Sequence, residues 1–166
     1  MKKYQMATFG AGCFWGVEEA YRILPGIHET TVGFMGGKVK DPTYQQVCDN
    51  NTGHAEVVHV KFDPALISYA DLLKKFWEIH DPTQENRQGP DIGDQYRSVI
   101  FYHSEAQQAQ AENSKSVVVA EARFTRTVVT AIEPASEFYP AEEYHQKYFF
   151  KKWRWRVPHL GRVCEH

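Results

Sequence analysis

Cysteine is scarce: the 166 residues include three, Cys13, Cys48 and Cys164. An odd, widely spaced set is no disulfide framework; it fits a reducing compartment in which a thiol does chemistry. His54 and His59 have Cys48 nearby but no second cysteine pair, and their spacing matches no zinc finger or ribbon, so a structural metal is not expected. Long apolar runs are also lacking, and none is of bilayer length. Lys2 and Lys3 ahead of the stretch that ends at Cys13 faintly resemble a lipoprotein signal, but that stretch is short and interrupted by Gln5 and Thr8. Cys13 is therefore read as part of the mature fold, and the protein as cytoplasmic. An excess of one charge is missing too: 19 basic against 21 acidic residues argue against nucleic acid or an anionic membrane as the main partner. The basic, aromatic run at residues 151–156 then reads as a cation-capped helix end rather than a nucleic-acid stacking surface. There are no repeats, low-complexity segments or linkers. The expectation is a monomer with one domain over residues 1–166 and an irregular tail from about residue 153. Its 42% hydrophobic and 14% aromatic content is enough for a core without disulfides.

Periodicity gives the elements. Residues 4–9, 30–35, 56–62, 97–103 and 127–133 read as strands, and residues 14–24, 68–80, 104–122 and 140–152 as helices. Val58, Val60 and Phe62 share one strand face, with His59 on the opposite one, exposed or paired. The helix near residue 70 has the clearest signals: Ser68 with Asp71 forms a capping-box start, and Tyr69, Leu72, Leu73, Phe76 and Trp77 make an apolar stripe. The first six elements run β-α-β-β-α-β, the split βαβ pattern. An α+β, ferredoxin-like two-layer sandwich follows, with a mixed central sheet, packed helices and long loops at residues 38–54 and 83–96. Loops of that length in a compact domain are usually functional.

What is present at the N-terminal end is most informative. Cys13 sits in Gly12-Cys13-Phe14-Trp15-Gly16, at a strand-to-helix junction. Glycines allow a sharp turn and close approach of a substrate. A helix N-terminus favours an anion, which raises thiol reactivity, and two aromatics offer an apolar wall. A buried cysteine in a glycine-rich turn is the plain alternative. Glu56 opens a strand just after Thr52-Gly53-His54-Ala55; near Phe14 and Trp15 it would be desolvated and act as a proton donor, whereas at a solvated edge it would be an ordinary glutamate. Tyr44 and Tyr96, in the two long loops, have phenols suited to an oxygen gaining charge, or to simple packing. Asp91 lies in a turn-rich segment before a strand, where it either orients a water, a backbone group or a substrate amide, or only shapes the turn. Cys164 is either a tail thiol that swings to another sulfur or an accidental exposed one.

Together these residues resemble the peptide methionine sulfoxide reductases of the A type. The likeness extends through Gly33-Phe34-Met35-Gly36-Gly37, Pro42-Thr43-Tyr44-Gln45-Gln46-Val47-Cys48, Thr52-Gly53-His54-Ala55-Glu56, His80-Asp81-Pro82-Thr83, residues 86–98 and Ala141-Glu142-Glu143-Tyr144-His145-Gln146, in the family's order. The resemblance implies reduction of methionine S-sulfoxide, free or in proteins. Cys13 would be nucleophile and Glu56 acid, Tyr44 and Tyr96 would bind the sulfoxide oxygen, Asp91 would hold substrate, and Phe14 and Trp15 would enclose the methyl group. It further implies a sulfenic acid on Cys13, regeneration by thioredoxin or a similar thiol, and no cofactor or metal. Two departures stand out. Phe34 replaces a frequent Tyr, and residues 153–158 lack the resolving cysteine of many members, which leaves the displaced Cys164 as candidate and an external thiol as the other route. Two readings compete with the reductase: a thiol peroxidase, which needs a peroxide pocket, and a non-catalytic redox or metal-binding module.

Overall fold

Residues 7–11 are buried without a break, as expected of a strand in the interior of a sheet. In the computed structural model, which describes residues 3–49 and 51–154, the elements run β1 (Gln5–Ala11), α1 (Phe14–Arg22), β2 (Ile27–Met35), α2 (Tyr44–Cys48), β3 (Ala55–Phe62), α3 (Tyr69–Ile79), β4 (Arg87–Gln88) and β5 (Asp91–Ile92). They continue through a 3-10 turn (Asp94–Tyr96), β6 (Ser98–Tyr102), α4 (Glu105–Ala120), β7 (Ala131–Pro134), β8 (Tyr139–Pro140), a second 3-10 turn (Glu143–His145) and α5 (Tyr148–Arg154). Six strands form one sheet in the order β7-β6-β1-β3-β2-β8, and β4 with β5 forms a separate hairpin. The four inner strands, with α1 and α3 as crossovers, are the split βαβ arrangement. Each of their pairings is antiparallel; only the β6–β7 edge pair is parallel.

The strand pattern decides which face takes the helices. Ala7, Phe9 and Ala11 of β1, Val58, Val60 and Phe62 of β3 and Ile100 of β6 share one buried cluster with Phe14, Val17 and Tyr21 of α1 and Leu72, Phe76 and Trp77 of α3. Alternate residues, among them Met35, Ala55, Val57, Val99 and Phe101, form a smaller cluster on the other face, against Ala131, Ala135 and Phe138. The second layer on that face is therefore chain that runs from β7 to β8. Phe138 stacks on His59 with ring centroids 4.5 Å apart, so His59 is half-buried and paired, with the Thr8 hydroxyl 2.8 Å from its Nδ1.

The caps expected from sequence form. Ser68 Oγ accepts the Asp71 N–H at 3.0 Å, and the Asp71 carboxylate accepts the Ser68 N–H at 3.1 Å. Three expectations need correction. The strand expected over residues 127–133 begins only at Ala131, because the Val129 N–H bonds the Pro82 carbonyl and the Thr130 carbonyl accepts from the Lys115 ammonium instead of entering a ladder. Residues 140–152 are not one helix. Pro140 lies in β8 beside β2, Gln146 uses its side chain as a false backbone group, bonding the Val32 N–H and carbonyl at 2.9 Å each, and Lys147 has φ +52°, which ends any helical run before α5 starts. The long polar loops hold ordered pieces, α2 in one and the β4–β5 hairpin in the other. Helix α5 reaches Arg154, so Trp153 is helical; the remainder of the tail lies outside the described residues.

Candidate active site

Cys13 is the N-cap residue of α1, half-buried, at the point where β1 leaves the sheet. The turn before it needs Gly12: its φ is +96°, and a β-carbon there would lie 2.8 Å from the Gln88 side chain. Gln88 belongs to the hairpin that carries Asp91, and it is tied to the backbone of Asp81 by two bonds of 3.0 and 2.9 Å. The cysteine turn and the Asp91 hairpin are thus packed directly on each other. Cys13 is disulfide-bonded, whereas Cys48 keeps its thiol. Cys164 lies outside the described residues.

Glu56 enters from the start of β3 and is fully buried. Its Oε1 accepts the Phe14 N–H at 3.1 Å, which sets the carboxyl group against the peptide that follows Cys13. Its Oε2 has no hydrogen-bond partner among the described residues. Burial, with Asp91 adding negative potential, pushes the carboxyl up to about 8 against the opposing pull of the Phe14 amide. The group is therefore a neutral acid at pH 7, with one oxygen uncommitted.

Two phenols border it. Tyr44 is the first residue of α2, fixed by a complete capping box in which Thr43 Oγ1 accepts the Gln46 N–H at 3.1 Å and Gln46 Oε1 accepts the Thr43 N–H at 2.9 Å. Tyr96 closes a 3-10 turn that Arg97 staples to the start of β3, donating to the Asp94 carbonyl at 3.0 Å and to the Gly53 carbonyl at 3.1 Å. Both phenols are buried, and burial together with nearby Glu56 holds each well above the ordinary phenol range, so both keep their protons. Tyr44 shares hydrogen bonds with Tyr96 and with the Cys48 thiol. Asp91 is 5% exposed. It lines, with Cys13, Gly16, Ala20, Ile79 and Trp153, a groove of about 680 Å³ that opens beside the Cys13 sulfur.

Phe14 and Trp15 form the apolar side. The Phe14 ring lies among Phe34, Tyr44 and His145, at centroid distances of 5.8, 6.2 and 5.3 Å. The Trp15 indole donates to His145 Nδ1 at 2.9 Å and stacks on Tyr148 at 3.9 Å. Cys13, Glu56, Tyr44, Tyr96, Asp91, Phe14 and Trp15 are therefore brought together from four separate stretches of chain. Sequence reasoning missed His145, which is fully buried, tilted against Tyr44 at 4.3 Å and held neutral by burial. The signal was the Tyr144-His145-Gln146 motif, concealed by reading that stretch as helix. His54 serves the scaffold: its Nδ1 accepts the Gly37 N–H at 2.9 Å and its Nε2 lies 2.7 Å from the Val39 carbonyl. Among the described residues no cluster of three His, Cys, Asp or Glu side chains is arranged to hold a metal.

With this geometry in place, the comparisons with known proteins are decisive. The sequence profile of peptide methionine sulfoxide reductase matches residues 5–163. The chain belongs to the peptide methionine sulfoxide reductase family. It is 61% identical to peptide methionine sulfoxide reductase MsrA of Methanoculleus marisnigri over 91% of this chain and 92% of that one. The MsrA of Methanothermobacter thermautotrophicus is 58% identical over 94% and 92%. Among solved structures, reduced Mxr1 from Saccharomyces cerevisiae superposes with a TM-score of 0.87 at 38% identity, covering 98% of this chain and 90% of that one. Methionine sulfoxide reductase A of Corynebacterium diphtheriae gives 0.80 at 35% identity, covering 97% and 82%. The chain is thus an enzyme that reduces methionine sulfoxide, on an α+β fold shared with these reductases. No helix among the described residues is long and apolar enough to cross a membrane.

Proposed function

We propose that this reductase acts on the S-sulfoxide of methionine, free or in proteins, with Cys13 as nucleophile and Glu56 as the acid. One observation carries the assignment: the fully buried Glu56 carboxyl accepts the Phe14 N–H, the amide that follows Cys13, with the Tyr44 and Tyr96 phenols near enough to feel its charge. Once its disulfide is reduced, Cys13 at the start of α1 faces the helix's positive end, which favours the thiolate. The thiolate attacks the sulfoxide sulfur through an electron pair on its own sulfur. Glu56 protonates the oxygen, while Tyr44 and Tyr96 donate to it as its charge grows. Attack joins the two sulfurs; the protonated oxygen then passes from the substrate sulfur to Cys13 as that sulfur–sulfur bond breaks, leaving a sulfenic acid on Cys13, methionine reduced by two electrons and Glu56 as the carboxylate. Phe14 and Trp15 enclose the methyl group, and Asp91 anchors the main chain of the substrate.

Recycling needs a second thiol. Cys164 is the proposed resolving residue: it displaces water from the sulfenic acid to form a disulfide, which an external dithiol reduces. Thioredoxin fits that role. The Saccharomyces cerevisiae Mxr1 structure in complex with Trx2 matches this chain with a TM-score of 0.63 at 28% identity. The setting proposed is a monomer in the cytoplasm.

Two variants test the reading. Cys13→Ser abolishes consumption of the S-sulfoxide. Glu56→Gln slows it by about 10²- to 10⁴-fold, the usual contribution of a positioned acid, without unfolding the protein. A fully active Cys13→Ser variant rules the proposal out, and hydrogen peroxide turnover exceeding sulfoxide turnover returns the thiol peroxidase reading.

A further inference from the structure

Glu18 is a carboxylate that the chemistry above leaves idle. It sits on α1 one turn beyond Trp15 and is 1% exposed. Its Oε2 accepts the Thr30 hydroxyl at 2.8 Å, and its Oε1 accepts the Lys147 backbone N–H at 2.5 Å. Lys147 is the residue with φ +52°, a conformation that a side chain other than glycine holds only when its surroundings fix it. The residues on either side of this strained point grip the Trp15 indole. His145 takes its N–H at 2.9 Å and lies 5.7 Å from it ring to ring, while Tyr148 stacks on it with an interplanar angle of 8°. Gln146 is fastened separately to β2 through Val32. Residues 145–148 therefore form a clip around the indole, and the carboxylate that bends the clip comes from the same helix as the indole itself.

We propose that Glu18 is a positioning residue for the reductase: by capping the bent Lys147 amide it holds the His145–Tyr148 clip, and through the clip the Trp15 wall of the methyl pocket. The proposal rests on the reading of Trp15 as that wall. Glu18 touches neither substrate nor Cys13, so its removal alters the shape of the pocket rather than the reacting groups. Displacing a pocket wall by a fraction of an ångström weakens discrimination between groups that differ by one methylene, which a well-fitted apolar pocket separates by about 10- to 200-fold.

The test compares kcat and KM for a methyl sulfoxide substrate and its ethyl homologue. Glu18→Leu has a similar volume but accepts no hydrogen bond, so the Lys147 N–H loses its cap; it is expected to raise KM for the methyl substrate and shrink the methyl-over-ethyl preference by at least about threefold, with urea unfolding as the check on folding. Glycine adopts φ near +52° unaided, so the double variant Glu18→Leu with Lys147→Gly is expected to regain part of the preference. A loss of stability alone does neither. A folded Glu18→Leu variant with the parent's preference overturns the proposal. Should Glu18→Leu fail to fold, Glu18→Asp keeps the charge but draws the carboxylate back by one methylene from the Lys147 N–H, and an unchanged preference there overturns it equally. Trp15→Ala is the control. If it alters the preference and the Glu18 variants do not, only the role of Glu18 falls; if it too leaves the preference intact, the pocket assignment itself is wrong.

Discussion

A single carboxyl group sets the pH behaviour of this enzyme. Glu56 is neutral in the folded protein up to about pH 8 because burial penalises its charge, whereas in the unfolded chain it ionises near 4.3. Between those values the folded state holds a proton that the unfolded state lacks, so the contribution of Glu56 to stability falls as pH rises and is lost by the time pH passes 8. The amount is on the order of a few kcal/mol. Glu56→Gln removes the effect: urea unfolding at pH 5.5 and pH 8 should show the parent losing stability relative to the variant across that interval, and a constant difference contradicts the assignment. Activity follows the same proton. The parent's kcat/KM should decline above about pH 8 as the acid form disappears, while the low residual rate of Glu56→Gln should show no such limb.

Elements matter here by where they deliver a phenol or an indole. Helix α2 is five residues long and exists because Thr43 and Gln46 cap one another. Thr43→Ala should cost about 1 kcal/mol of stability. Because the first helical residue is Tyr44, it should also raise KM for sulfoxide, which a pair of assays on the same preparation will show; an unchanged KM means that the phenol is held by its contacts with Phe14 and His145 instead. This helix was not legible in the sequence, since a five-residue element in a polar stretch has no periodicity to read. The long elements were. Ser68 with Asp71 and the Tyr69-Leu72-Leu73-Phe76-Trp77 stripe have a strong local signal, and α3 follows it. Within the site, Cys13, Phe14 and Trp15 were legible because one motif holds all three. The burial of Glu56, and hence its neutrality, was legible only through its adjacency to those aromatics. His145 and Glu18 were not, because their roles arise from pairings 130 residues apart, Trp15 with His145, and 129 apart, Glu18 with Lys147. A local reading saw one helix over residues 140–152, acidic at its start and basic at its end, where the chain folds back in pieces.

At the scale of the whole molecule, the site with His145 is a seam where five stretches of chain meet, and its two half-reactions draw on different parts of it. Oxygen transfer from sulfoxide draws on Cys13 at the start of α1, Glu56 on β3, Tyr44 on α2 and Tyr96 in the 3-10 turn before β6. Resolution of the sulfenic acid needs a second sulfur, and Cys48 is a poor one. It is half-buried on α2, its thiol is engaged with Tyr44, and burial raises it further from the thiolate form. That leaves Cys164 or an external thiol. The two half-reactions should therefore separate cleanly by mutation. Cys164→Ser should retain a full single turnover of sulfoxide, one methionine formed per enzyme, yet lose most thioredoxin-supported steady-state activity, because thioredoxin attacks disulfides rather than displacing water from a sulfenic acid at a comparable rate. Mass mapping after one equivalent of substrate without reductant should show a Cys13–Cys164 link in the parent and a lone oxidised Cys13 in the variant. A Cys164→Ser enzyme that turns over with thioredoxin as fast as the parent assigns resolution to the external thiol, and the C-terminal cysteine then has no part in the cycle.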